Sequence, residues 1–233
     1  MIDIYKNLCI VKAVNVDSEE IDIICALAND KLSINCSNVG IDWKIVIENS
    51  KESQENFQCI IDQVKQILGD KVYSDNDEEL EDCVVNLALE KGKRVVVAES
   101  LTGGMIASRI VNVPGSSCVL NEGLVTYTNA SKVRRLHVRL STLQNFGAVS
   151  SQTAKEMVYG LLTNESDFGV ATTGCAGPGS DEKDTPIGLA YIAIADHDQT
   201  QVYEVNYEGD RNQIRKSVSD MALYLLLNKI KYN

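Results

Sequence analysis

Four stretches of this 233-residue sequence gather side chains that could attack, take a proton or hold charge. The first is Glu99-Ser100-Leu101-Thr102-Gly103-Gly104, between an apolar strand-like run and a helix-like one. Glycines there let backbone approach a ligand, and amides at a helix start attract anions; a tight turn capped by hydroxyls is the plain alternative. The second is Pro114-Gly115-Ser116-Ser117, and the third is Tyr127-Thr128-Asn129-Ala130-Ser131-Lys132. A serine attacks an amide only if a base takes its proton, and lysine or tyrosine serves when its surroundings lower its pKa. Tyr127 at a strand end and Lys132 on the first turn of the next helix can bring their side chains together. Read plainly, Lys132 is a solvated surface residue and Tyr127 a core aromatic. The fourth stretch, residues 172–180 (T-T-G-C-A-G-P-G-S), follows another buried strand and offers backbone N–H groups to an oxyanion or phosphate, or is only a loop. Arg211, at the start of the last helix, suits a bidentate grip on phosphate; most arginines so placed are simply solvated.

Other chemistries fit less well. His137 lies in the basic run Arg134-Arg135-Leu136-His137 and His197 in a polar turn, so neither is a good general base for a triad. Seven cysteines stand singly with no C-x-x-C pair, which reads as reduced thiols rather than a disulfide framework. Cys175 and Cys118 are conceivable nucleophiles without an evident partner histidine, and both fit as small buried thiols. No histidine or cysteine pair has ligand spacing, so no structural metal is expected.

These groups need elements to hold them. Leu8 to Val14 and Trp43 to Ile47 read as strands and Glu19 to Ala28 as a helix. Phe57, Ile60, Ile61, Val64, Ile67 and Leu68 repeat at helical spacing before a stop at Gly69. This small α+β unit ends near Tyr73, and the polar run from Ser74 to Glu79 is expected to be the boundary, giving domains at 1–73 and 74–233. Beyond it, a helix over Leu80 to Lys91 precedes the wholly apolar strand Val95-Val96-Val97-Ala98, of the kind buried on both faces, which predicts an α/β/α sandwich. A helix from Met105, a strand over Gly123 to Tyr127, a helix capped by Asn129 and a helix over Ser150 to Leu162 follow. Strands are expected at Asp167 to Thr173, Ile187 to Ala195 and Gln201 to Tyr207, the last two joined by a hairpin turn. Asp210 with Gln213 resembles a capping box for a final helix whose stripe is Ile214, Val218, Met221, Leu225 and Leu226.

A hydrophobic content of 44% with 24% charged residues excludes disorder and fits a globular protein. No apolar stretch approaches the ~20 residues of a membrane span, and Met1 to Ile10 lacks a signal-peptide pattern, so the cytoplasm is the expected location. Residues 1 to 90 hold 19 acids and 7 bases, a net −12, while residues 91 to 233 hold 14 acids and 15 bases, a net +1. The acidic front repels phosphate backbones and lacks a G-x-x-G loop, which argues against nucleic-acid binding; the near-neutral rear tolerates an anionic substrate.

Taken in order, A-E-S-L-T-G-G, V-P-G-S-S, G-L-V-T-Y-T-N-A-S-K-V, F-G-A-V-S, T-T-G-C-A-G-P-G and P-I-G-L-A-Y-I-A resemble the C-terminal domain of the CinA family. That resemblance implies a nicotinamide-nucleotide amidase: hydrolysis of nicotinamide mononucleotide to nicotinate mononucleotide and ammonia, in pyridine-nucleotide salvage, with no metal or cofactor. It also implies an α/β/α fold and a homodimer. I-L-G-D-K-V-Y before E-E-L-E-D looks like the junction with the family's small KH-like middle domain, so residues 1 to 73 are expected to be that domain. The larger molybdopterin-binding-like domain often found ahead of it, with its metal-dependent ADP-ribose pyrophosphatase activity, is expected to be missing. Three positions depart from the pattern: Leu101 replaces a usual cysteine, His137 a usual glycine and Thr128 a common serine. Carried over residue by residue, the resemblance makes Ser117 the nucleophile, with Tyr127 and Lys132 removing and relaying its proton, and Ser100 the competitor. Ser100, Thr102, Gly103, Gly104, Thr173, Gly174, Gly177 and Arg211 would bind substrate, Arg211 through the phosphate. A catalytically silent nucleotide-binding or interaction module on the same fold is the alternative.

Overall fold

The computed structural model describes residues 7–179 and 184–233, and its contacts divide the chain into 1–80 and 81–233. Ser180, at the end of the fourth glycine-rich stretch, and residues 1–6 lie outside the described residues.

In the front unit, β1 (Leu8–Val14), α1 (Ser18–Cys25), β2 (Leu32–Val39), β3 (Asp42–Asn49), α2 (Gln54–Leu68) and β4 (Val72–Ser74) form an antiparallel sheet of order β2-β3-β1-β4 with two helices. The β2–β3 hairpin turns through Gly40 at φ 66, a left-handed position in a two-residue loop. α1 opens with a capping box between Asp17 and Glu20. α2 sets Phe57, Ile61, Val64 and Leu68 on one face, against Val11, Ala13, Ile45 and Ile47 of the sheet. Each fully buried Ile or Leu there contributes about 1.5–3 kcal/mol. Two details differ from the sequence reading. β2 (L-S-I-N-C-S-N-V) was missed although Leu32, Ile34 and Cys36 alternate with polar residues and face the core; the alternation spans only three apolar positions before the strand turns polar. The polar run 74–79 is tied to the front sheet rather than free: β4 pairs with β1, and Lys44–Asp77 (2.6 Å) and Lys12–Glu79 (2.8 Å) anchor it, so the division falls at Leu80.

The rear unit contains α3 (Leu80–Lys91), β5 (Val95–Glu99), α4 (Met105–Asn112), β6 (Leu120–Val125), α5 (Asn129–Leu136), α6 (Leu140–Phe146), α7 (Ser151–Tyr159), β7 (Phe168–Gly174), β8 (Leu189–Ala195), β9 (Thr200–Asn206) and α8 (Arg211–Lys231). Its sheet runs β6-β5-β7-β8-β9, parallel from β6 to β7 and antiparallel thereafter. Every residue of β5 is buried. Val96 and Ala98 face a cluster with Leu136 of α5, Leu143 of α6 and Met157 and Val158 of α7, and α8 lies against β7 and β8 on the other side. The fold is therefore α/β, in three layers. A Cβ on Gly169 would come within 2.8 Å of Val158, so glycine there lets α7 sit close to the sheet.

The final helix opens with the expected box of Asp210 and Gln213, and its stripe buries Ile214, Val218, Met221 and Leu226, leaving Leu225 half-buried. α5 is capped by Thr128 instead of Asn129: Thr128 is extended and its hydroxyl accepts from the Ser131 amide. α6 went unread, because its short run leaves too few turns for a periodic signal. Since β5 continues to β6 on one side and its other neighbour is β7, strand order reverses at β5, and the carboxyl ends of these three strands open a crevice of the kind that holds ligands.

Candidate active site

Ser100 is the first residue after β5, and Lys132 sits on the first turn of α5. Lys132 is 1% exposed; its ammonium donates to Ser100 Oγ at 2.8 Å and to the Thr126 carbonyl at 2.9 Å. Burial pushes the amine down to about 8, because a charged ammonium loses its water there. At pH 7.5 about a quarter of such an amine is neutral and ready to accept a proton.

The turn carrying Ser100 is held from both sides. Glu99, 1% exposed, accepts from the amides of Gly104 (2.9 Å), Ile106 (3.2 Å) and Ala107 (2.9 Å), so its carboxylate caps the start of α4 from the end of β5. Arg215 of α8 donates from Nε to the Leu101 carbonyl and from Nη2 to the Thr102 carbonyl, each at 2.9 Å. Thr102, fully buried, shares a 2.8 Å hydrogen bond with the Thr172 hydroxyl. A carboxylate on the amides and a guanidinium on the carbonyls thus fix the backbone between Glu99 and α4, with Gly103 and Gly104 left-handed at φ 61 and 93.

A cavity of about 210 Å³ opens over this pair. Its polar wall is Ser100, Lys132, Tyr127, Thr173 and Arg211, and Leu101, Ala148, Val149 and Ala176 supply an apolar one beside Gly174. The Thr173 hydroxyl donates to the Ala148 carbonyl at 2.7 Å, joining the end of β7 to the loop before α7. Arg211 reaches across the mouth, donating to the Gly177 carbonyl at 2.5 Å and to the Tyr127 hydroxyl at 2.9 Å.

Several sequence expectations change here. Ser117 does not converge with Tyr127 and Lys132 within the chain. It is exposed on the 3-10 turn Ser116–Cys118, beside the start of β5, where the Val95 amide donates to the Val119 carbonyl. Ser100 lies at the other end of that strand, on the order of 15 Å away. Lys132 is buried, not solvated, and Tyr127 is 59% exposed with its hydroxyl held by Arg211 rather than by Lys132. The Gly104 amide serves Glu99, the Gly103 amide donates to the Ser100 carbonyl, and Thr102 faces Thr172, so these three do not line the cavity. Gly177 takes part through its carbonyl alone, on Arg211. Cys118 shares the distant turn of Ser117, the Cys175 thiol donates to the Gly179 carbonyl at 3.4 Å, and His197 meets the Ser166 carbonyl. Glu99 and Arg215 were missed as functional; the one signal for Glu99 was an acid closing an otherwise apolar strand, and Arg215 had none.

A family model described as CinA C-terminal domain matches residues 77–230. The chain belongs to the CinA family. A putative competence-damage inducible protein of Caldicellulosiruptor saccharolyticus is 40% identical over 189 residues, 79% of this chain and 46% of the relative. Another from Clostridioides difficile is 38% identical over 211 residues, covering 86% of this chain and 50% of the relative. The chain thus spans about half the length of these curated relatives. Among solved structures, the competence/damage inducible protein CihA from Agrobacterium tumefaciens superposes with a TM-score of 0.61 at 38% identity, over 65% of this chain and 96% of its own. A competence-damaged protein (CinA) superfamily protein from Klebsiella pneumoniae gives 0.64 at 29%, over 66% and 97%. In this CinA-family chain His137 is left-handed at φ 55 and ends α5, a conformation that glycine adopts without strain. Among the described residues, no helix is long and apolar enough to cross a membrane and no group of acidic, histidine and cysteine side chains gathers as for a metal.

Proposed function

We propose that this CinA-family chain is an amidohydrolase that converts nicotinamide mononucleotide to nicotinate mononucleotide and ammonia, with Ser100 as nucleophile and Lys132 as its base. The buried 2.8 Å contact between Lys132 Nζ and Ser100 Oγ carries this reading. When the amine is neutral, the serine hydroxyl donates to it and is activated for attack on the carboxamide carbonyl. The serine oxygen bonds to the carbonyl carbon, its proton passes to Lys132, and Lys132 returns that proton to the departing nitrogen, which leaves as ammonia. Water, deprotonated by the same amine, then cleaves the acyl-serine. The positive pyridinium ring withdraws electrons from the carboxamide and eases the first attack. Arg211 and Tyr127 at the mouth would take the phosphate.

In this reading the front unit is the family's KH-like domain and the rear unit, from residue 81 onward, the amidase domain; the enzyme serves pyridine-nucleotide salvage in the cytoplasm as a homodimer without metal or cofactor. An ammonia-release assay over nicotinamide, its riboside and its mononucleotide tests it. Turnover of the mononucleotide, abolished in Ser100→Ala, is expected. Binding of the mononucleotide with no ammonia would instead select a silent binding module.

A further inference from the structure

Cys25 and Cys36 bring their sulfurs to 3.9 Å across the front unit. Cys25 closes α1 and is exposed, and Cys36 lies mid-way along the edge strand β2, half-buried and opposite Ile45 of β3. Both thiols are free. Van der Waals contact between two sulfurs on different elements is rare by accident in a chain whose cysteines are scattered singly. It also leaves a short path to a covalent bond: the sulfurs must close from 3.9 Å to about 2.0 Å.

We propose that Cys25 and Cys36 form an oxidation-sensitive dithiol that closes to an intramolecular disulfide when a hydroperoxide reaches Cys25. Exposure makes Cys25 the thiol that meets the oxidant. Its thiolate sulfur bonds to one peroxide oxygen, the O–O bond breaks, and the departing oxygen leaves as water or alcohol, so Cys25 becomes a sulfenic acid. The Cys36 sulfur then attacks the Cys25 sulfur; the S–S bond forms, the S–O bond breaks, and the Cys36 proton leaves with hydroxide as a second water. Two thiols lose two electrons and one hydroperoxide is reduced. The order suits the two sites. Burial, with the Cys25 thiol facing it, pushes Cys36 up to about 12 and keeps it a poor first attacker, and conversion of Cys25 removes that neighbouring thiol. The product ties the end of α1 to the edge strand and closes the loop between them, so it limits the unfolded chain.

Cys59 of α2 and Cys118 are also exposed and serve as internal controls; the Cys59 sulfur accepts from Gln63 Nε2 within its own helix. The test treats the reduced full chain with one equivalent of hydrogen peroxide, blocks remaining thiols with N-ethylmaleimide and maps peptides without reductant. A reducible cross-link joining Cys25 to Cys36 is expected, with an upward shift of several degrees in a thermal transition, while Cys59 and Cys118 remain alkylable or carry single-thiol oxidation. In Cys36→Ser, Cys25 should stop at a sulfenic acid that dimedone traps. Wild-type chain in which dimedone traps Cys25 as readily as in Cys36→Ser, with Cys36 still alkylable, overturns the proposal. Neither readout depends on amidase activity.

Discussion

The Lys132 ammonium donates to Ser100 Oγ at 2.8 Å across thirty-two residues of sequence, and both groups are buried at the carboxyl ends of adjacent parallel strands. The proposed base and nucleophile are thus brought together by sheet order, in a setting where burial alone lowers the amine to about 8.

The pH dependence follows from that amine. The proposed mechanism requires its neutral form, so kcat should rise with pH, reach half its plateau near pH 8 and stay level above, in a rate profile on the mononucleotide. Stability carries the same signature. The folded value is depressed below that of free lysine, so between pH 8 and 10.5 the unfolded chain binds more protons and stability rises with pH. Below that window the buried charge costs roughly 3 kcal/mol. Lys132→Met should lose about 10²–10⁴ in kcat, and its thermal stability relative to wild type should be greater at pH 7 than at pH 10. A profile centred near pH 6 would remove Lys132 as the base.

The two serines should separate cleanly. Ser100→Ala removes the hydroxyl that Lys132 holds and should lower kcat by about 10³-fold or more while the protein stays folded. Ser117→Ala alters an exposed turn at the far end of β5 and should leave kcat within a factor of two or so, as surface changes usually do. Side-by-side ammonia assays decide; loss of activity in Ser117→Ala with Ser100→Ala active would reverse the assignment.

Two arginines one turn apart on α8 have different partners and should fail differently. Arg211 meets Tyr127 and Gly177 at the cavity mouth, so Arg211→Met should raise KM for the mononucleotide more than for the riboside. Arg215 holds the carbonyls of Leu101 and Thr102 behind Ser100, so Arg215→Met should lower kcat for both substrates alike, with partial rescue by lysine. Steady-state kinetics on the pair of substrates separate the two. An Arg215→Met effect confined to KM would place it on the substrate instead.

His137 occupies a left-handed position at φ 55 where a side chain is strained by about 1–2 kcal/mol. Part of that gain is offset because glycine loses more backbone freedom on folding, so His137→Gly should stabilise by about 0.5–1 kcal/mol. A chemical denaturation midpoint that moves up with an unchanged slope would show it.

The amino-acid order alone determined whatever depends on neighbours a few positions apart. The apolar run at Val95 announced a strand buried on both faces, and Asp210 with Gln213 marked the start of α8, because capping and amphipathic spacing act within one or two turns. It also brought Ser100, Lys132, Thr173 and Arg211 forward as reactive or charge-binding groups. Which serine Lys132 meets was a tertiary matter. The β6-β5-β7 order sets the carboxyl ends of those strands together and leaves Ser117 at the opposite rim, a fact that no local spacing encodes. Glu99 capping α4, Arg215 reaching back from α8 and the meeting of Cys25 with Cys36 are long-range contacts of the same kind. They form only once the sheets and helices have packed, which is why short-range pattern could name the chemical groups but not their partners.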